Sequence, residues 1–291
     1  MSAHRAGFVA ILGRPNAGKS TLLNAILGEK LAIVTPKPQT TRSRILGIHS
    51  RPGAQLLFVD TPGLHESERA FNVALNEQAQ EAADKSDAAL LLVPLDEGWS
   101  EEHAAVAARL ESRGTPWIAV GTKLDRPGAR EAPWPPPGVS RKRAQRVSAR
   151  NGEGLEALVE ATAALLPESP ALYPEDELSD RPLRFLVAEL VREAAFEELE
   201  QEIPYQLAAE VERFDESRED LVRIAAHLIL ERASQKPIAI GRGGEKIKAI
   251  GIRARREIEK LLGVRVHLDL RVKVEPRWTR KPARRRSLGY D

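Results

Sequence analysis

Short apolar runs at 8–12, 55–59, 88–93 and 117–120 alternate with longer stretches of helical periodicity at 19–27, 69–84, 101–113 and 154–166. Apolar runs that do not alternate read as strands buried on both faces, and strands alternating with helices predict a mostly parallel sheet in an α/β fold. Residues 44–49 fit an antiparallel edge strand beside 55–59, reversed through the Pro- and Gly-containing segment 50–54. Five prolines in 126–138 keep that stretch out of the sheet and predict a surface excursion before a last strand at 145–147.

The grammar changes after 167–180, whose three prolines and run of acidic residues predict an interdomain linker. A helical stripe runs through 181–200 at Leu183, Leu186, Val187, Leu190, Val191, Ala194 and Ala195. Strands are then predicted at 205–211 and 221–230, a helix at 245–262, and a final strand at 264–274, where Val264, Val266, Leu268, Leu270, Val272 and Val274 alternate with polar residues. This is a small α+β unit, so the expected division is a first domain over 1–170, a linker over 171–180 and a second domain over 181–291.

Charge sharpens that division. The 291 residues carry 44 basic and 42 acidic side chains, yet the net is +1 over 1–170, −10 over 171–230 and +11 over 231–291. So cationic a final segment calls for an anionic partner, a nucleic acid or a membrane surface. The absence of cysteine excludes disulfides, thiolate metal sites and thiol nucleophiles. No apolar run approaches the ~20 residues of a membrane span, so a soluble, cytoplasmic chain is expected.

GRPNAGKS follows the first strand and opens the first helix, placing Gly13, Arg14, Pro15, Asn16, Ala17, Gly18, Lys19 and Ser20, with Thr21 behind them, where a glycine-rich loop meets a helix N-terminus. Backbone N–H groups there cradle phosphates, Lys19 reaches the β and γ oxygens, and Ser20 ligates Mg²⁺. DTPG (Asp60, Thr61, Pro62 and Gly63) follows the third strand; Asp60 is expected to hold the metal through water and Gly63 to hydrogen-bond a γ-phosphate. Alone, DTPG is a common turn. TKLD (Thr122, Lys123, Leu124 and Asp125) and SAR (Ser148, Ala149 and Arg150) follow two further strands, so the motifs converge at the carboxyl ends of the sheet, where open α/β sheets bind ligands.

With QTTRS at 39–43 between them, these motifs in this order resemble the small guanine-nucleotide-binding switch proteins. The resemblance implies binding of GTP and GDP, recognition of guanine by Asp125, and catalysis by Lys19, Thr41 and Gly63, with Ser20, Thr41 and Asp60 around the metal. Two positions depart from the pattern. Thr122 stands where asparagine is usual, implying weaker nucleotide binding with the guanine preference kept. Leu64 stands where many relatives carry a water-orienting glutamine, implying slow intrinsic hydrolysis helped by K⁺ at Asn16 and the 39–43 segment, or by a partner.

In the second domain Gly241, Arg242, Gly243 and Gly244 form a G-x-x-G loop directly before a helix that carries Lys246, Lys248, Arg253, Arg255 and Arg256. Such a loop lets backbone approach a nucleic-acid strand while cations neutralise its phosphates; by itself it is equally a turn before a solvated basic helix. Together with the surrounding strands it resembles the type 2 KH domain, which binds single-stranded RNA. A P-loop GTPase joined to this module, with RASQKPIAIGRGGEKIKAIG at 232–251, resembles the Era family of bacterial GTPases over almost the whole chain. That resemblance implies a monomer that binds the 3′ end of 16S ribosomal RNA, acts in assembly of the 30S subunit and associates peripherally with the inner membrane. The alternative is a constitutive RNA-binding chaperone with a structural nucleotide site. The closing run 277–286, six cations in ten residues, extends the RNA surface or forms a disordered solubilising tail, and Trp278 either stacks on a base or packs the domain edge.

Overall fold

The computed structural model describes residues 4–35, 45–60 and 84–290. They fall into two compact units, one built from 4–32, 45–60 and 84–180 and the other from 33–35 and 181–290.

In the first unit β1 (Arg5–Gly13) lies between β3 (Ala54–Asp60) and β4 (Ala88–Pro94), parallel to both, and β5 (Trp117–Thr122) and β6 (Ala144–Arg146) continue the parallel sheet outward. β2 (Ile45–Arg51) pairs antiparallel with β3, giving the order β2-β3-β1-β4-β5-β6. Every residue of β3, β4 and β5 is buried, which accounts for their unbroken apolar runs. The helices are α1 (Lys19–Leu27), α2 (Glu101–Arg113) and α3 (Leu155–Ala163). α1 and α2 occupy the span their periodicity predicts; the helix expected at 69–84 lies, but for its last residue, outside the described residues.

The segment expected to act as a linker is fastened to this unit. The buried side-chain amide of Gln55 accepts from the N–H groups of Leu172 (2.7 Å) and Tyr173 (2.9 Å) and donates to the Tyr173 carbonyl (2.8 Å). Further on, Ile48 N–H donates to the Leu178 carbonyl and Ser179 bridges to Gly47. Proline and acidic content signalled a segment without regular structure, but one glutamine amide and an open β2 edge supply backbone partners that composition does not reveal.

In the second unit β7 (Ala208–Arg218), β8 (Leu221–Leu230) and β9 (Arg265–Val274) form a sheet with β7 and β8 antiparallel and β8 and β9 parallel. The helices are α4 (Leu183–Glu198), α5 (Gln235–Ile240), α6 (Glu245–Leu262) and α7 (Pro282–Ser287). Ile250, Ala254 and Ile258 of α6, spaced four apart, join Val187, Val191 and Ala194 of α4 and the inner face of the sheet in one core.

The basic end of the chain is folded. Trp278 is 3% exposed and packs with Ala208, Ile229, Leu288 and Tyr290 while its indole N–H donates to the Gln206 carbonyl. Packing is therefore the outcome for this tryptophan. Arg284 lies between Glu210 and Glu275, with four contacts of 2.7–2.9 Å to the two carboxylates. Its hydrogen bonds hold Glu210 below the usual carboxylate range and Glu275 down to about 2. Beneath the tail, Arg192 is wholly buried and makes a bidentate pair with Glu189, to which the Tyr290 hydroxyl also donates at 3.3 Å.

Candidate functional site

The first candidate site is assembled where β1, β3, β5 and β6 end. Gly13 closes β1 at φ +154°, and a Cβ there would stand 3.0 Å from the Leu92 carbonyl, so the turn into the loop admits only glycine without a shift of β4. Asn16 at φ +61° and Gly18 at φ +96° carry the chain round to α1, which begins at Lys19. Arg14, in the loop, pairs with Glu102 on the first turn of α2 at 2.9 Å, a brace that motif reading misses because Glu102 belongs to no motif.

Lys19 is 7% exposed, and its ammonium donates to the carbonyls of Gly13 and Arg14, both at 3.0 Å. Burial lowers its pKa to about 8, against the opposing field of Asp60. Asp60, fully buried at the end of β3, accepts from the Ser20 hydroxyl at 2.7 Å. Burial raises its pKa, and Ser20 and Lys19 work against that rise. Its Oδ1 has no hydrogen-bond partner among the described residues. A buried carboxylate with an oxygen to spare beside a hydroxyl is a donor set suited to a hard divalent cation that keeps most of its ligands as water and phosphate. Among the described residues no cluster of three or more acidic, His or Cys side chains offers a rival metal site.

The other two motifs form one connected surface beside this loop. Thr122 ends β5, and its hydroxyl donates to the Ala17 carbonyl at 2.8 Å. Lys123 takes φ +60°, and its ammonium pairs with Glu97 at 3.3 Å. Leu124 is buried, and its N–H donates to the Val147 carbonyl, anchoring the turn to the end of β6. Asp125 is exposed and accepts from the buried Ser148 hydroxyl at 2.7 Å, which holds its pKa below the usual value. Ala149 and Arg150 continue the turn from Ser148. Gly13 through Thr21, Asp60, 122–125 and 148–150 therefore come together; Thr41, Thr61, Pro62, Gly63 and Leu64 lie outside the described residues.

The second candidate site is in the other unit. Gly241 ends α5 at φ +76°, where a Cβ would meet the Lys246 backbone nitrogen at 2.9 Å, and Arg242–Gly244 make one tight turn before Gly244 caps α6. Arg242 and Lys248 are exposed, Lys246 is half-buried, and none of the three is in an ion pair among the described residues. Arg253 differs from its expected partners: two turns along α6, it is paired with Glu197 and with Glu198 (3.3 Å) at the end of α4. The cationic loop is thus built by Arg242, Lys246 and Lys248, and Arg253 is already neutralised.

Residues 8–123 match the family model described as 50S ribosome-binding GTPase, and 202–279 match the KH domain. The chain is 42% identical to the GTPase Era of Geotalea uraniireducens, covering 99% of this chain and 98% of that protein. It is 43% identical to the GTPase Era of Xanthomonas campestris pv. campestris, covering 100% and 99%. Among solved structures it is similar to an Aquifex aeolicus Era variant bound to GDP and aluminium tetrafluoride, at 36% identity and TM-score 0.89 over 98% and 99% of the two chains. It is equally similar to Era in complex with MgGDPNP and nucleotides 1506–1542 of 16S ribosomal RNA, at 36% identity and TM-score 0.88 over 99% of each chain.

Proposed function

From the premise that the chain belongs to the Era family of GTPases, we propose that it is a slow GTP-hydrolysing switch whose KH unit grips the 3′ region of 16S ribosomal RNA during assembly of the small ribosomal subunit. The observation that carries this reading is the likeness, over 99% of both chains, to an Era structure holding a GTP analogue and that RNA together.

Phosphoryl transfer asks the protein for positioning and charge neutralisation rather than covalent chemistry. In this reading Lys19 moves from the Gly13 and Arg14 carbonyls onto the β and γ oxygens, and the N–H groups of 13–20 hold the remaining phosphate oxygens. Ser20 and Asp60 would hold Mg²⁺, which would supply charge neutralisation for the phosphates; the Asp60 Oδ1, without a hydrogen-bond partner among the described residues, supports that assignment. Thr41 and Gly63 lie outside the described residues and are assigned the metal and γ-phosphate roles that the family resemblance implies. Asp125, aimed by Ser148, selects guanine.

Leu64 has no group to orient an attacking water. Without a side chain there to orient the water, intrinsic turnover is expected below ~1 per second. Asn16, exposed in the loop, is the proposed K⁺ ligand, and turnover is expected to be faster in potassium than in sodium.

The test is to crosslink the protein to RNA in cells, in GTP-bound and GDP-bound forms, and sequence what is trapped. Reads concentrated at the 3′ end of 16S ribosomal RNA and dependent on nucleotide state are expected. Reads on messenger or transfer RNA would remove the assembly role.

A further inference from the structure

We infer that Arg146 is a positioning residue for base selection: it fastens the proline-rich excursion 126–138, and with it the loop that carries Asp125, to the loop that carries Ser148. The inference rests on the guanine-binding reading proposed above and extends it to a residue that belongs to none of the nucleotide-binding motifs.

Proline content creates the need. Five of the thirteen residues 126–138 have no N–H to give, and the described residues 123–140 form no helix or strand. Carbonyls in such a stretch lack the backbone donors that regular structure supplies. Arg146, at the end of β6, supplies them from a side chain: its guanidinium donates to the Arg130 carbonyl at 2.7 Å and to the Ala132 carbonyl at 2.8 Å. Hydrogen bonds from a charged donor are the strong class, and the planar fork sets the spacing of the two acceptors. Arg130 returns the tie, pairing with both carboxylate oxygens of Glu153 at 2.9 and 2.6 Å, and the Glu153 carbonyl accepts from Ser148 N–H at 2.9 Å. Two arginines thus cross between the excursion and the turn that presents Ser148.

The excursion is held from inside as well. Leu124, next to Asp125, is buried with Leu95 and Ala129, and Trp134 packs against them. Space for the indole comes from Gly121 in β5, where a Cβ would stand 3.2 Å from the Trp134 ring and 2.7 Å from the Leu95 side chain. Asp125 therefore sits between the Leu124 anchor and the excursion, with its carboxylate on the Ser148 hydroxyl at 2.7 Å. An exposed carboxylate on a loop without regular structure has many orientations. One fastened on both sides loses less freedom when a pair of donors arrives, so the clasp raises affinity for the base that offers that pair. Among the described residues Arg146 has no hydrogen bond or ion pair to 13–20, so the phosphate end of a ligand should not sense its loss.

The test titrates fluorescent GDP, and ADP by its displacement of that probe, on the full chain and on Arg146→Ala and Arg146→Lys. ADP offers phosphates to the first loop but no paired N1 and exocyclic donors to Asp125, so it reports any general loosening of the unit. The alanine variant is expected to bind GDP roughly tenfold more weakly, equivalent to about 1.4 kcal/mol, with ADP within about twofold of the parent, so the preference for guanine falls with the GDP affinity. Lysine keeps the charge and drops the fork, and a fall of about threefold in GDP affinity is expected for it. Parental GDP affinity in the alanine variant, or an equal loss for GDP and ADP, would overturn the inference. Should the alanine variant not fold, the lysine variant reads the same preference, and an unchanged ratio of GDP to ADP affinity there overturns it. A parent chain that binds ADP as tightly as GDP would instead overturn the guanine-site reading.

Discussion

Raising the pH titrates Lys19 before any nucleotide reaches it. Buried, the ammonium has a pKa of about 8 rather than 10.5, so about a tenth of the free protein carries a neutral lysine at pH 7 and about three quarters at pH 8.5. Phosphates draw the lysine back to its charged form, so binding must take up the missing proton: about 0.1 per nucleotide at pH 7 and about 0.75 at pH 8.5. GDP affinity should fall roughly fourfold over that interval, before the guanine ring itself ionises. The same shift acts on folding with a definite sign. A lysine whose pKa is lowered in the folded state destabilises it fully below about 8, and that cost is relieved as pH rises from about 8 to 10.5. Nucleotide-free stability therefore gains where binding weakens. Calorimetric titration of GDP in two buffers of different ionisation enthalpy counts the protons directly. A count below ~0.2 at pH 8.5, equal to that at pH 7, would refute the claim that the buried lysine must recharge on binding.

Asp125→Ala should weaken GTP binding at least about hundredfold, the loss of charge-assisted hydrogen bonds of about 1.5–3 kcal/mol each, and remove the preference over ATP in a competition assay. Its unfolding midpoint should barely move because the side chain is exposed. Arg284→Ala should lower stability by about 1–3 kcal/mol at neutral pH by stranding Glu210 and Glu275. Because both carboxylates have lowered pKa values, that stabilisation is present above about 4.5 and is lost as pH falls towards about 2, where denaturation curves of parent and variant should converge. Arg242→Glu with Lys246→Glu should weaken single-stranded RNA binding and reduce the slope of log affinity against log salt by about 1.4, while GTP turnover without RNA stays at the parental level.

The parallel sheet was legible because buried strands leave continuous apolar runs and because glycines, lysine and aspartate recur at strand ends in fixed order; α1 and α2 follow their periodicity to the residue. What stayed hidden has identifiable causes. β7 runs to Arg218 rather than 211 because bulges between Val211 and Arg213 and between Asp215 and Arg218 break the alternation that marks a strand. α5 is six residues long with Pro237 inside it, tolerated because N–H groups of a first turn need no helical partner. Six cations in 277–286 left the tail open between an added RNA surface and a disordered solubilising segment, whereas its fold is decided by Trp278, Leu288 and Tyr290 and by acceptors at Glu210 and Glu275, which are remote in sequence or at its margin. At the nucleotide site, the motifs named the residues but not their couplings: Thr122 to Ala17, Ser148 to Asp125 and Arg14 to Glu102 join positions that only folding brings together.

In the proposed switch, the nucleotide held by the first unit sets how tightly the second grips RNA. Fluorescence anisotropy of a labelled RNA spanning the 3′ end of 16S ribosomal RNA, titrated with the full chain saturated with GDPNP or with GDP, measures it directly. At least about tenfold tighter binding with GDPNP, a coupling of about 1.4 kcal/mol, is the predicted result; equal affinities in the two states would contradict the account and leave a constitutive RNA binder.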